Sequence, residues 1–310
     1  MAIGTCEFHT IPLKTNNLNR MKKTSIFILF IALFYTLSAQ DPKINVVVIG
    51  AHPDDADVDV GGTAYQFAQM GHNVLFVSLT NGDAGHYSKG GGALAKIRMK
   101  EAEEAGRRIG VTYKVLDNHD AELMPTLKLR HDVIRLIRNW DADVVITHRP
   151  YDYHPDHRNT AIVVQDAAFL VTVPNVVPDV PALKTNPVFL YSHDNFQKPN
   201  SFQPDIAIDI SNVYNKKVYG MAAHESQFFE WLPWLNGLLD QVPETEEGRL
   251  EWLGEMRSRK ISTETRKSLE KWYGGDKAGK MTAAEAFEIC EFGRHPSDEE
   301  IRKLFPMIGK

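Results

Sequence analysis

The feature that most limits what this chain can fold into is an alternation that starts at residue 44. Residues 44–49 (INVVVI) are a short β-branched run with little polar alternation, as a strand buried on both faces requires. Residues 61–70 read as a helix closed by Gly71, and 74–79 (VLFVSL) as a second strand. A helix rich in Ala, Glu, Lys and Arg over 94–109 stops at Gly110, and a third strand fits 111–116. Leu129, Val133, Leu136, Ile137 and Trp140 make a helical stripe within 127–140. Residues 144–147 supply a fourth strand and 159–170 another helix. Strands alternating with helices of this length imply βαβ units and a parallel sheet. The fold class expected is therefore α/β, a Rossmann-like parallel sheet with helices on both faces.

Residues 174–204 are rich in Pro and Asn and predict loops and short strands. Residues 241–310 are charged and mainly helical by pattern, with capping-box spacing at Thr282…Glu285 and Ser297…Glu300. The chain thus divides into an N-terminal extension and leader (1–40), an α/β domain (41–240) and a C-terminal helical extension packed on it (241–310). Met21-Lys22-Lys23, an apolar run over 26–35 and Leu37-Ser38-Ala39-Gln40 have the order of a secretory signal peptide. The apolar run is shorter than the ~20 residues of a spanning helix, so no stable membrane span is expected after cleavage. Cleavage after Ala39 takes four basic residues and one acidic one, leaving a net charge of −8 instead of −5. An exported protein, periplasmic or extracellular, is the expectation. A mildly acidic chain does not suit nucleic acid, because phosphate contacts need clustered Lys and Arg. Two cysteines, one of them Cys6 ahead of the leader, cannot staple the mature chain. Association into a homo-oligomer is compatible with the sequence.

Open parallel sheets bind ligands beyond the carboxyl ends of their strands. Here those ends are loaded. His52, Asp54, Asp55, Asp57 and Asp59 follow the first strand, and Asn81, Asp83 and His86 the second. Asp117, His119, Asp120 and Glu122 follow the third, and His148, Arg149, Asp152, His154, Asp156 and His157 the fourth. G-x-G-x-x-G is missing after the first strand, and two carboxylates stand where a pyrophosphate would bind, which excludes a dinucleotide site. A His/Asp set without Cys suits zinc or another borderline divalent ion. His52, one of Asp54 and Asp55, and one of His154 and His157 would supply three ligands. The other carboxylate would serve as general base, and the leftover His, beside Asp156, as an acid.

Each motif has a plainer reading. Asp54 and Asp55 stand where acids cap a helix, and His-Pro-Asp-His can be a polar turn. His148 reads as a structural hydrogen-bonder. His224-Glu225 lacks the second His of a zinc-protease helix, and no G-x-S-x-G elbow exists. Phe228, Phe229, Trp231 and Trp234 suit either core packing or a wall for a sugar ring.

Taken together these residues resemble the PIG-L/LmbE-like N-deacetylases. The signature A-H-P-D-D-E with a following Gly pair stands here as Ala51-His52-Pro53-Asp54-Asp55-Ala56 with Gly61-Gly62, and H-x-D-H as His154-Pro155-Asp156-His157. Thr80-Asn81-Gly82-Asp83, Arg98…Glu101, Lys217 and His224-x-Ser226-Gln227 resemble further family elements, so the similarity spans roughly 44–230. The resemblance implies that His52, Asp55 and His157 bind zinc and that Asp54 is the general base. It implies that His154 meets the oxyanion or protonates the leaving amine, with Asp156 as its orienting partner. Arg98 and Asp120 match substrate-contact positions. One departure stands out: Ala56 replaces the usual Glu, and Asp57 is the nearest carboxylate that could substitute. The activity implied is zinc-dependent removal of an N-acetyl group from an N-acetylated saccharide or glycoconjugate. The alternatives are a related amide or ester hydrolase, and a metal-containing sugar-binding protein without turnover.

Overall fold

The structure, a computed structural model, describes residue 1 and residues 42–258 and 260–309. The leader read at 21–39 lies outside the described residues. The sheet and the helices around it all belong to one unit, Lys43–Lys310.

The sheet contains β1 (Asn45–Gly50), β2 (Asn73–Thr80), β3 (Thr112–Asn118), β4 (Val144–Thr147), β5 (Val188–Ser192), β6 (Ile206–Asp209) and β7 (Ala284–Ile289). Their order is β3-β2-β1-β4-β5-β7-β6. β1 to β5 run parallel, and β7 is antiparallel to both neighbours. The chain moves outward one way from β1 through β2 to β3, then the other way from β4 to β5. A crevice at such a reversal is where open α/β sheets take ligands, and here it lies between the ends of β1 and β4.

Helices α1 (Asp55–Gln69), α2 (Gly91–Ile109), α3 (Leu127–Asn139) and α4 (Pro155–Leu170) connect the parallel strands. Successive strand residues point to opposite faces and both faces are covered. Val47, Ile49, Val77 and Val145 pack with Ile134, Ile137, Val163 and Val164 of α3 and α4. Val46, Val48, Phe76 and Ile146 pack on the other side with Val60 and Phe67 of α1 and with Trp272 and Phe305 from the C-terminal segment. The α/β class read from the alternation is the one observed.

Two local differences carry physical content. α1 starts at Asp55, not at residue 61, so the acids of the motif occupy its first turn. Gly61 and Gly62 suggest a helix start, yet they lie inside it because neighbours press close. A Cβ on Gly62 would come within 2.8 Å of Ile210 Cγ2. The second difference is β7. Ala and Glu favour helix, and Thr282…Glu285 has capping-box spacing, but these residues form a strand between β5 and β6. Glu285 is buried there and accepts from the backbone N–H groups of Gly62 and Thr63 (3.0 and 2.7 Å) and from Lys217 Nζ (2.7 Å). The other capping box is real: Ser297 and Glu300 exchange side-chain-to-backbone bonds at the start of α8 (Asp298–Leu304). Between β6 and β7 lie α5 (Tyr214–Met221), α6 (Glu246–Arg257) and α7 (Thr263–Tyr273). Among the described residues, no helix is long and apolar enough to cross a membrane.

Candidate active site

The site is built from the turn after β1 and the turn into α4. Asp55 Oδ2 accepts from the backbone N–H groups of Ala51 and His52 (2.9 and 2.8 Å) and lies 3.1 Å from His148 Nε2. These contacts pin the carboxylate beside His52. His52 Nδ1 is 3.2 Å from His157 Nε2 and 3.5 Å from Asp55 Oδ2, and His157 Nε2 is 3.5 Å from Asp55 Oδ1. Zinc–ligand bonds of about 2.0–2.1 Å in tetrahedral geometry separate the ligand atoms by about 3.3–3.4 Å. The two imidazole nitrogens have close to that spacing, and each meets a different oxygen of Asp55 at 3.5 Å.

The far nitrogens of both imidazoles meet carboxylates. His52 Nε2 is 3.1 Å from Asp120 Oδ1 and 3.2 Å from Asp156 Oδ2, while His157 Nδ1 is 3.2 Å from Asp152 Oδ2. A carboxylate behind each histidine turns its other nitrogen inward and raises its basicity, as metal-ligating imidazoles require. Burial pulls the His52 pKa down, but hydrogen bonds to Asp120, Asp156 and Asp55 outweigh it and hold it well above the ordinary value. His157 is likewise raised, with Asp55 and Asp152 overcoming burial. Burial pushes Asp55 up, and the facing His157 and His148 bring it well below the ordinary carboxylate value. His148 stacks on His157 with ring centroids 4.2 Å apart and planes 2° from parallel. Among the described residues, His52, His154 and His157 form one donor group, Asp55, His148 and His157 a second, and His52, Asp120 and Asp156 a third. The first shares His157 with the second and His52 with the third.

Asp54 stands apart from its neighbour. Its φ of 154° is one that residues with a side chain rarely adopt. Its Oδ1 accepts from Arg98 Nη2 at 2.8 Å, and the same nitrogen donates to the Pro53 carbonyl at 2.8 Å. Burial raises the Asp54 pKa, against the opposing charge of Arg98. Arg98 is 2% exposed, and Gly82 makes room for it: a Cβ there would come within 2.7 Å of the guanidinium.

Residues 47–168 match the family described as PIG-L: GlcNAc-PI de-N-acetylase. The diacetylchitobiose deacetylase of Thermococcus kodakarensis is 31% identical over 224 residues, covering 64% of this chain and 80% of that protein. The chain belongs to the PIG-L family. It is an N-deacetylase of that family. Among solved structures, the N,N'-diacetylchitobiose deacetylase from Pyrococcus horikoshii is similar in fold, with TM-score 0.58, 24% identity and coverage of 90% of this chain and 95% of that one. GalB, the 4-carboxy-2-hydroxymuconate hydratase from Pseudomonas putida, is also similar, with TM-score 0.59, 18% identity and coverage of 82% and 99%. A hydratase on the same fold shows why the PIG-L assignment rests on sequence rather than on architecture.

Against the roles that the PIG-L resemblance implies, the structure brings His52, Asp54, Asp55, His154, Asp156 and His157 together and redistributes some of their contacts. Asp156 does not orient His154 through its side chain. As the second residue of α4 its carboxylate points inward, to His52 Nε2 and to the N–H groups of Ala121 (2.7 Å) and Leu123 (3.1 Å). Its backbone N–H instead donates to His154 Nδ1 at 3.2 Å, because His154 caps the helix. In the neutral ring the His154 proton therefore sits on Nε2. Burial, with His52 and His157 nearby, keeps the His154 pKa below the ordinary value. Arg98 holds Asp54 and Asp120 holds His52, so both matched substrate positions face site residues. Ala56 is in the sheet-facing core, and Asp57 takes no place beside it: its carboxylate lies 3.0 Å from His224 Nε2. Sequence reasoning gives neither His148 nor Asp152 a role in the site, although their place at the carboxyl end of β4 is the signal that finds them. The aromatic stretch divides. Phe228 and Phe229 are core, while Trp234 is 47% exposed and stacks on Tyr87 at 5.2 Å.

Proposed function

We propose that this N-deacetylase uses zinc held by His52, Asp55 and His157 to remove an acetyl group from the nitrogen of an amino sugar, with Asp54 as general base. The observation that carries the reading is the division of labour between adjacent carboxylates. Asp55 is turned into the donor cluster, whereas Asp54 is outside it, raised in pKa and held by Arg98. A divalent ion in this set supplies Lewis-acid polarisation of a carbonyl and lowers the pKa of water. Asp54 accepts the proton of the attacking water, for which a carboxyl raised by burial is the stronger base. His154 directs Nε2–H at the oxyanion that develops on the carbonyl, and the proton taken up by Asp54 passes to the amine as the C–N bond breaks. The saccharide part of the reading is supported by the Thermococcus relative, whose name specifies an N-acetylated disaccharide. The order of residues 21–39 supports export, and N-terminal sequencing from the native host tests it: an intact chain in the cytoplasm would sink it.

The decisive experiment is acetate release from a panel of N-acetylated saccharides, with chelator and after zinc is restored. Chelator-sensitive release that zinc restores is the expected result. Release indifferent to chelator removes the metal from the mechanism, and zinc binding with saccharide affinity but no release leaves only a binding protein.

A further inference from the structure

Residues 224–227 take no part in the chemistry above, yet three of their four side chains bond to groups on the elements that carry the site. His224 is fully buried, and its Nε2 lies 3.0 Å from Oδ2 of the equally buried Asp57. Ser226 donates to Glu101 twice, from its backbone N–H to Oε1 at 2.8 Å and from Oγ to Oε2 at 2.6 Å. Gln227 Nε2 donates to the Gly85 carbonyl at 3.0 Å. A Cβ on Gly85 would stand 3.2 Å from both Arg98 Nη1 and Asp120 Oδ2, so that bond holds a backbone that touches both groups.

The placement has a pattern. Asp57 lies in the first turn of α1, three residues after Asp54, which immediately precedes the helix, and Glu101 is three residues after Arg98 on α2. Three residues on a helix return to the same face, so Glu101 lies about one turn beyond Arg98. The Arg98–Asp54 bond joins the start of α1 to α2, and the 224–226 segment joins the same two helices one turn away. The segment is itself stiff: Gln227 and Phe228 donate to the His224 carbonyl at 3.1 and 3.0 Å, and Phe228 and Phe229 are anchored in a core cluster with Val218 and Leu253.

We propose that His224 and Ser226 are positioning residues for Asp54, a bracket that fixes α1 against α2 and thereby holds Arg98 on the base. The proposal rests on Asp54 being the base. A strained backbone such as that of Asp54 persists only where its surroundings over-determine it, and the bracket is such a surrounding. A base also acts only within hydrogen-bond reach of the proton it takes, so a shift of about 1 Å between the helices is costly to turnover, while Asp55 stays pinned by the Ala51 and His52 N–H groups.

The test is Ser226→Ala, alone and combined with Asp54→Asn, assayed by acetate release from N-acetylated chitooligosaccharides with metal content and melting temperature measured in parallel. Ser226→Ala alone should lower kcat roughly ten- to a hundredfold, with KM and zinc content unchanged. In the Asp54→Asn background it should cost nothing more, because the group it positions is already inert. A further loss of the same size in that background overturns the bracket and leaves a general structural role. A raised KM at unchanged kcat overturns it in favour of substrate contact. Should Ser226→Ala not fold, Glu101→Gln attacks the same bonds from α2 and must give the same pattern. Full activity in Asp54→Asn is a different failure, since it removes the base itself.

Discussion

Arg98 Nη2 bridges the carbonyl of Pro53 and the Oδ1 of Asp54, 2.8 Å from each, and so grips the backbone and the side chain of one turn with a single nitrogen. Asp54 and Asp55 are adjacent in sequence and face different partners: this buried guanidinium claims one, while two backbone N–H groups and His148 claim the other.

Arg98→Lys tests that grip. A lysine ends one atom short of the Nη2 position, so its ammonium does not reach both acceptors where the guanidinium nitrogen does. We expect kcat to fall about tenfold or more with zinc content intact, the consequence of a misplaced base. A raised KM with kcat unchanged would return Arg98 to substrate contact.

Asp54→Asn and Asp55→Ala should fail in different ways. The first keeps shape but cannot accept a proton, so zinc stays and turnover drops by about 10²–10⁴. The second removes a ligand, so zinc and activity are lost together, as in His157→Ala. Metal analysis beside rate measurements decides between them, and a zinc-free Asp54→Asn with a zinc-replete Asp55→Ala would mean the roles are reversed.

Asp156→Asn separates two assignments of that carboxylate. Because its side chain lies against His52 Nε2, zinc affinity should weaken by about 10–100-fold. Orientation of His154 would instead lower kcat at constant affinity. Competition with a chromogenic chelator measures the difference.

Zinc uptake should depend steeply on pH. Free of metal, His52 and His157 both hold their protons to a higher pH than ordinary imidazole, and zinc must displace them. Affinity should therefore fall as pH drops, beginning above the normal imidazole range, with protons released on loading. Calorimetry in buffers of different ionisation enthalpy counts those protons, and a count of zero would contradict the charge state derived for both rings.

Glu285→Ala removes the carboxylate that β7 inserts against α1. Lys217 and two backbone donors lose their acceptor at a buried site, so we expect a loss of about 3–5 kcal/mol in denaturant unfolding. A change below about 0.5 kcal/mol, the size of an ordinary surface substitution, would mean that β7 is held by its backbone pairing alone.

The strand–helix alternation is legible in the sequence because burial on both faces demands β-branched runs, and an amphipathic helix writes its own period. The clustering of His and Asp at strand ends is legible for the same topological reason. β7 is not, because Ala-Glu-Ala-Phe-Glu-Ile has no strand period. It is a strand because it can pair with β5 and β6, and no neighbouring residue in the chain records that pairing. The roles of Arg98 and Asp120 stay open in the sequence for a related reason: a side chain's partner depends on which helix or loop arrives opposite it.

By itself the sequence determined the α/β class, the edge of the sheet where chemistry collects, and the residue types that collect there. These follow from periodicity and from the rule that parallel strands end at one side. Only the tertiary structure decided which carboxylate joins the donors and which is held by Arg98 outside them. It also decided that Asp156 serves His52 rather than its near neighbour His154. Those choices depend on atoms a few ångströms apart that belong to residues up to about a hundred positions away. Hydrogen bonds and desolvation act over the short distance, and the chain carries no mark of it.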